Sequence, residues 1–548
     1  MNQLRTYLTA VIVIASFSAI AHSKELDLNQ TPPDKTVDEM CSAFSKLGAN
    51  CDPGPIFERI PSPQINQFVF ADSATDDDLK KMPIVPFPFG LFLSDKMTNS
   101  GLECLSKQPN LVAIQRLPRS TDDAGMVHVG KIKSLLGLSL FNTEVTDDGL
   151  KSLRSLDQLE FLGLMDTGVS DEGLKQIKSL DSLKYIDLSV CNLNGYGLEF
   201  LASLKNLRGL RMVATPIVSE NLLLLGKLNR LEVLELSATE INDEGIREIA
   251  NLPALRKLDL SGTHLTSAGL KYLTDCKQLQ ELKVSSTHVG DAGLPDIGKI
   301  TTLTKLDLSN TGVTDQELAS LKSLSNLKEL DLERCHLTGT GFQSLSNVPL
   351  ETVNLTLSKC NDAGMEALAR IPTLRVLKID RTPVTDAGVM SVAKMKGLTD
   401  LSMDRVLVTD QGMQALCGLP NLTRLVVGHT PVSSGGLKDI SNLTNLEMLS
   451  LKNTQVGAEG LAHLQPLSKL TVLNLDGSPV SQAMVDELTK LTQLRKLGLS
   501  DCPITDKSAV DLGKMKQLQW LFLSDSPISL TTRHQLKKAL PNCHIWNL

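Results

Sequence analysis

The chain has 548 residues, of which 41% are apolar and 21% charged, which excludes wholesale disorder and a fibrous class. It is about twice the length at which a single hydrophobic core stops growing, so several domains or a repeat array must absorb it, and aromatics at 3% leave the core to aliphatic side chains. A formal charge of -7 excludes a general nucleic-acid or acidic-membrane binder, because such proteins need clustered Lys and Arg to displace counterions.

Met1 to Arg5 carry one positive charge, and Tyr7 to Ala21 are apolar apart from Thr and Ser, with small residues at Ala19, Ala21 and Ser23. This pattern predicts a secretory signal peptide over 1–23, cleaved ahead of Lys24. The apolar stretch, about 15 residues, falls short of the roughly 20 that a bilayer span needs. The mature chain is therefore expected to be exported to the periplasm, the cell surface or the medium, without stable membrane insertion. Residues 24–35, with Pro32 and Pro33, read as a flexible leader. Residues 36–64 read as an N-terminal cap containing an amphipathic helix from Val37 to Leu47 that ends at Gly48. Of ten cysteines, Cys41 and Cys51 are the candidate disulfide; the rest are too dispersed for a cystine framework.

From residue 135 the chain matches itself at an offset of 24: Leu135, Leu159, Leu183, Leu207, Leu231, Leu255, Leu279, Leu303 and Leu327, then, after the loss of one residue, Leu350 and every 24th residue to Leu518. Within a unit such as 231–254, apolar residues fall at Leu231, Leu234, Leu236, Ile241, Ile246, Ile249 and Leu252. The period changes from 2 to about 3.6, which predicts a strand, a turn and a short helix. One such unit has nothing to bury its leucines against, so units must stack into a right-handed α/β solenoid with a parallel sheet on its concave face and helices outside. Residues 65–530 are assigned to this solenoid, with degraded turns over 65–134 and regular turns over 135–530, about 20 in all. Residues 531–548, a helix from Thr531 to Leu540 and a short strand from His544 to Trp546, read as the C-terminal cap.

The motif L-x-x-L-x-L-x-x-T-x-[IV]-[TS]-D-x-G-L resembles that of leucine-rich repeat proteins, clearly so over residues 111 to 530. The period and the G-L opening each helix are similar to the GALA-like bacterial subgroup and to large exported internalin-like proteins. The resemblance implies a non-enzymatic protein-interaction scaffold. It also leaves open a secreted effector or adhesin acting on a host, or a structural envelope component. Residues 24–64 are too short for the F-box that GALA-like effectors carry.

Several residue rows look chemical. Asp recurs twelve places after the repeat start at Asp123, Asp147, Asp171, Asp243, Asp291, Asp315, Asp362, Asp386, Asp410 and Asp506, with Ser219, Ser267 and Ser434 as substitutes. Asp and Ser share the helix N-cap role, so capping is expected rather than calcium binding. Thr follows the strand in many turns, as at Thr143, Thr239, Thr311 and Thr454, and is replaced by Cys191, Cys335 and Cys502. A small polar group there is expected to bond the backbone of the neighbouring turn. His264, His288 and His336 share one repeat position and form the metal-binding alternative, although Gly312 interrupts the row and a zinc site needs three or four protein ligands. No nucleophile-base order, phosphate loop or paired Cys-x-x-Cys is present, so no enzyme activity and no cofactor are expected.

A ligand is expected on the concave sheet face, where the outward side chains lie between the buried leucines. Successive strands place there Asp187, Arg211, Glu235, Asp259, Lys283, Asp307, Asp331, Asn354 and Lys378, and Lys328, Arg334, Arg375, Arg381, Asp404 and Arg405 thicken the charge nearby. This mixed strip suits a polar protein partner recognised by complementary charge. The exposed sheet positions between the Leu207 and Leu494 strands lack the aromatic platforms that sugars or unstacked bases need. The chain is expected to be a monomer.

Overall fold

The structure, a computed structural model, describes residues 34–55 and 64–546. The expected signal peptide over 1–23, the leader up to residue 33 and residues 56–63 of the expected cap lie outside the described residues. Two compact units divide the chain between His264 and Leu265.

The first unit opens with a helix at Asp34–Ser45 and an antiparallel pair, Ala49–Pro55 with Gln64–Phe70. The helix starts and stops slightly earlier than the amphipathic pattern predicts. Gly48 then adopts φ +73 and donates its N–H to the Ser45 carbonyl at 3.1 Å, a left-handed turn that suits glycine. Phe44 stacks on Phe68 with ring centroids 3.7 Å apart, and Phe68 meets Phe89 edge-on at 5.7 Å. A Cys41–Cys51 disulfide ties the helix to the first strand.

From Gln64–Phe70 onward, every strand of this unit is parallel to the next, through Phe89–Phe92 and Leu111–Arg116 to Lys257–Asp259. Arg116, at a position that interrupts the apolar pattern, lies at the end of the longer Leu111–Arg116 strand and pairs with Asp95 at 2.6 Å. Among the described residues, the second unit carries twelve parallel strands, from Glu281–Lys283 to His544–Trp546. Regular turns contribute only three strand residues each, in strict register: Leu210 pairs with Leu234, and Leu306 with Leu330. The seven periodic apolar residues named above for the 231–254 unit are at most 1% exposed. The helical halves are short; some are α-helical, such as Asp362–Leu368, and others are 3₁₀ segments, such as Leu318–Ser323. The final helix runs Leu530–Ala539 behind an N-cap at Ser529, and the Trp520 and His544 rings stack at 4.6 Å on the last two strands.

The Asp row does something other than what the repeat pattern suggests. The N-cap is the residue before it, for example Thr385 or Thr409, and the Asp stands one place inside the helix. Its carboxylate reaches to the next turn. Asp362 Oδ1 accepts the Thr385 N–H at 2.7 Å, Asp362 Oδ2 accepts the Thr385 hydroxyl at 2.7 Å, and Oδ1 also accepts the Gly388 N–H at 3.0 Å. Asp386 holds Thr409 and Gly412 in the same way, and Asp410 holds Ser433. The hydroxyl passes the bond on, since Thr385 Oγ1 accepts the Ala387 N–H. Each carboxylate therefore satisfies orphan donors at the next helix start, both directly and through that helix's own cap.

This clasp explains the spacing D-x-G. A Cβ at Gly173, Gly388 or Gly412 would overlap the clasping oxygen of Asp147, Asp362 or Asp386 from the turn before. It also explains the substitutions. Ser219, Ser267 and Ser434 accept only a backbone N–H, from Asn242, Gly290 and Gly457, which have no hydroxyl to place. Where the cap is Asp122, the preceding turn supplies Asn99, whose Nδ2 donates to it at 2.7 Å.

The Thr row also differs from expectation. The hydroxyl closes its own turn, as Thr239 Oγ1 donates to the Leu236 carbonyl at 2.6 Å and Thr311 Oγ1 to Leu308 at 2.5 Å. The Cys substitutes do reach across turns: Cys191 Sγ lies 3.0 Å from the Leu164 carbonyl, and Cys335 Sγ 3.1 Å from that of Leu308. A Thr hydroxyl on Cβ is held by its branched rotamer close to the local carbonyl.

Two outcomes follow from the clasp. Gly388→Ala is expected to cost about 1–3 kcal/mol through overpacking, and Asp362→Ala about 1–3 kcal/mol through unpaired donors. Urea unfolding followed by far-UV circular dichroism should show the double variant costing clearly less than the sum; additive costs would sink the shared-space explanation. At Asp506, the Ser529 N–H holds the carboxyl below its usual range. A lowered native pKa means stability present above the unfolded value and lost as pH falls through the native one. Asp506→Asn should accordingly flatten the acid limb of a stability-against-pH curve.

Candidate binding surface

The side chains expected to face a ligand fall into three rows on the sheet face. The first lies at the third residue of each strand. In the first unit it holds Asp187, Arg211, Glu235 and Asp259, and in the second Lys283, Asp307, Asp331, Asn354 and Lys378, each in register with its neighbour of the same unit. The second row holds Lys328 and Arg375, just ahead of their strands. The third follows the strand and holds Arg334, Arg381 and Arg405, with Asp404 beside Arg405.

These residues do not form one open charged strip. Asp187 is 7% exposed and Asn354 8%, where outward exposure was expected. The reason is pairing along the row: Arg211 Nη1 lies 3.0 Å from Asp187, Arg211 Nε 2.5 Å from Glu235, and the Arg211 side chain is 17% exposed. Its neighbours Asp187, Glu235 and Asp259 outweigh the desolvation that opposes a buried cation, so its pKa is raised rather than lowered. Asp307 takes the Ser309 N–H and hydroxyl, while Asp331 takes the Glu333 N–H and the Asn354 amide at 3.0 Å. Burial still pushes the Asp331 carboxyl up, with Glu333 adding to it. Lys283 pairs with Glu281 at 3.6 Å, Lys328 with Glu351 at 2.8 Å, Arg334 with Glu333 at 3.7 Å and Arg405 with Asp404 at 3.6 Å.

A feature that the periodicity alone did not expose is the backbone of the third row. Among the described residues, fifteen non-glycine residues, one in each of most turns, adopt a left-handed φ here, among them Arg334 at 57, Arg381 at 55, Arg405 at 56 and His429 at 53. Each costs of order 1–2 kcal/mol relative to the right-handed region. The signal was present, since Asn142, Asn310, Asn453, Gly262 and Gly477 occupy the same position. His429 belongs to the surface as well: its Nδ1 lies 2.9 Å from Asp404 Oδ1 and its Nε2 3.0 Å from the Asn453 amide.

His264 pairs with Glu240 at 2.7 Å, and His288 and His336 belong to the second unit. Among the described residues, no group of three or more His, Cys, Asp or Glu is placed to hold a metal ion. The thiols Cys191, Cys335 and Cys502 are buried and unbridged, as is Cys360. Burial pushes Cys360 up to about 12 and Cys502 to about 11, so they stay protonated at neutral pH, unlike reactive thiols. No described helix is long and apolar enough to cross a membrane.

Arg211→Met should cost about 3–5 kcal/mol by leaving two poorly hydrated carboxylates without their cation, which a urea midpoint would register; a cost below 1 kcal/mol would mean that Asp187 and Glu235 are solvated. Asp331→Asn should do the reverse. A carboxyl with a raised native pKa is penalised once pH exceeds its unfolded value, so the variant should melt higher than the native chain at pH 7, with the difference closing in acid. Equal loss at both pH values would contradict this.

The family comparison agrees with the fold. The family described as leucine-rich repeat region matches residues 168–435 and 243–485, together more than half of the chain. No curated protein sequence gives a significant match. Among solved structures, a leucine-rich repeat protein of Leptospira interrogans is 20% identical, with TM-score 0.46, covering 77% of this chain and 97% of its own. Internalin F of Listeria monocytogenes is also 20% identical, with TM-score 0.43, covering 64% and 88%. The plant peptide hormone receptor RGFR1, in complex with RGF2, is 16% identical, with TM-score 0.39, covering 90% and 85%. The stacked turns, the in-register leucines and the family match lead to one conclusion: the chain belongs to the leucine-rich repeat family, whose arrays act as protein-interaction scaffolds.

Proposed function

We propose that this chain is an exported, non-enzymatic scaffold that binds a protein partner through the charged sheet face of its repeats. The observation that carries the reading is the in-register row of charged side chains, interrupted only by Asn354, on strand after strand from Asp187 to Asp259 and from Lys283 to Lys378. A repeat array holds such side chains at fixed spacing on a continuous surface, and a surface of that kind recognises another protein by complementary charge. Pairing within the rows supports a pre-organised surface, since ion-paired side chains lose little further rotamer freedom on binding. Export rests on the signal-peptide pattern of residues 1–23, and a bacterial, internalin-like or GALA-like origin on the repeat period and motif.

Two measurements test this. The full chain, expressed in a bacterium, should fractionate outside the cytoplasm with Lys24 as its first residue; a cytoplasmic product retaining Met1 would overturn export. Affinity capture from envelope extract should enrich one protein with the native chain and lose it with Asp307→Lys/Asp331→Lys. Capture of the same set by both would place binding off the sheet face.

A further inference from the structure

The cations of the second unit's sheet face are not equivalent. Lys283, Lys305, Lys328, Arg334, Arg405 and Arg424 each have a carboxylate within 4.0 Å. Arg375, Lys378 and Arg381 have none at that distance among the described residues, and all three are exposed. They stand on a single turn, around the strand Val376–Lys378. From the strand Glu281–Lys283 to the strand Trp520–Phe522, Lys378 is the one exposed residue in the third strand position. Its neighbours in the row are Asn354, which is buried, and Ser402, so its ammonium group stands clear of shorter side chains. Arg381 lies in the left-handed row beside Leu357 and Arg405. The nearby carboxylates are already engaged: Asp380 takes the Ser402 hydroxyl and the Asp404 N–H, each at 2.6 Å, and Asp400 holds Arg424 at 2.7 Å.

We propose that this turn is the anchoring point for an extended acidic segment of a protein partner, whose carboxylates engage Arg375, Lys378 and Arg381. The inference deepens the scaffold reading above and rests on it. The spacing suits a ligand with separated carboxylates. Arg375 and Lys378 are three residues apart on extended chain, about 10 Å between Cα atoms, so each can take its own carboxylate. That interval matches acidic side chains at every third residue of a peptide in the polyproline II conformation, which share one face about 9 Å apart. A continuous polyanion such as a nucleic acid would meet Glu351, Asp380, Asp400 and Asp404 on either side and be repelled, whereas a segment with polar residues between its carboxylates would not.

The test uses the full chain and a fluorescein-labelled peptide of Asp-Gly-Thr repeated four times, with its Asn counterpart and a single-stranded oligonucleotide of equal charge, in low-salt fluorescence anisotropy. The native chain should bind the Asp peptide at least tenfold more tightly than the Asn peptide, and more tightly than the oligonucleotide. Lys378→Glu/Arg381→Asn and, independently, Arg375→Ser/Lys378→Ser should each weaken it at least tenfold, with Lys514→Ser on the helix side unchanged. Equal binding to both peptides, tighter binding of the oligonucleotide, or insensitivity to both double variants would overturn the proposal. Repeating the capture experiment separates the two readings: a partner kept by Lys378→Glu/Arg381→Asn but lost by Asp307→Lys/Asp331→Lys overturns the anchor and leaves the scaffold, whereas loss by neither overturns the scaffold itself.

Discussion

A 24-residue unit with a three-residue strand and one or two turns of helix cannot bury its own leucines, so each turn's apolar face exists only because the next turn covers it. That dependence is apolar at Leu210, Leu234 and Leu258, and polar at the helix starts, where the carboxylate of one turn holds the cap of the next. The two parts are complementary in kind. Leucine burial supplies most of the energy but is tolerant of small slips, whereas a carboxylate that must meet an N–H and a hydroxyl together admits one register. The glycine two places after most of these Asp residues, such as Gly173, Gly388 and Gly412, is the steric trace of that register, left open for an oxygen belonging to the preceding turn.

The regularity extends to the sheet face, where in-register side chains form rows and pairing within rows decides what remains available to a partner. In the first unit, Asp187, Arg211 and Glu235 consume one another's charge. In the second, most of the cations named above have a carboxylate within 4.0 Å on their own or the adjacent turn, whereas Arg375, Lys378 and Arg381 have none at that distance among the described residues. A surface rich in formal charge thus leaves three exposed cations of one turn without a close carboxylate.

The third row adds a cost that the others do not. A left-handed backbone at Arg334, Arg381 and Arg405 is less favourable than at Asn or Gly, which stand there in other turns. The bend is required because the chain must leave the strand and turn toward the helix within a few residues. Side chains at that bend stand beyond the end of each strand, with Arg334, Arg381 and Arg405 exposed.

Much of this was legible from the residues in order. The 24-residue offset and the change of period within each unit determined the strand-turn-helix unit, the parallel stacking, the buried leucine positions and the C-terminal strand from His544 to Trp546, because hydrophobic periodicity reports which face of an element must leave water. The same reading placed the Asp row one residue off its true role, expected Thr hydroxyls to cross between turns, and took the outward strand residues as exposed. Each of these depends on where a residue 23 or 24 places away puts a polar atom. Asp362 and Thr385, or Asp187 and Arg211, become neighbours only when the turns stack, and hydrogen bonds and ion pairs are decided over a few tenths of an ångström. Identity and order determined the architecture; which charges are spent inside the protein and which are left for a partner was decided by the stacked turns.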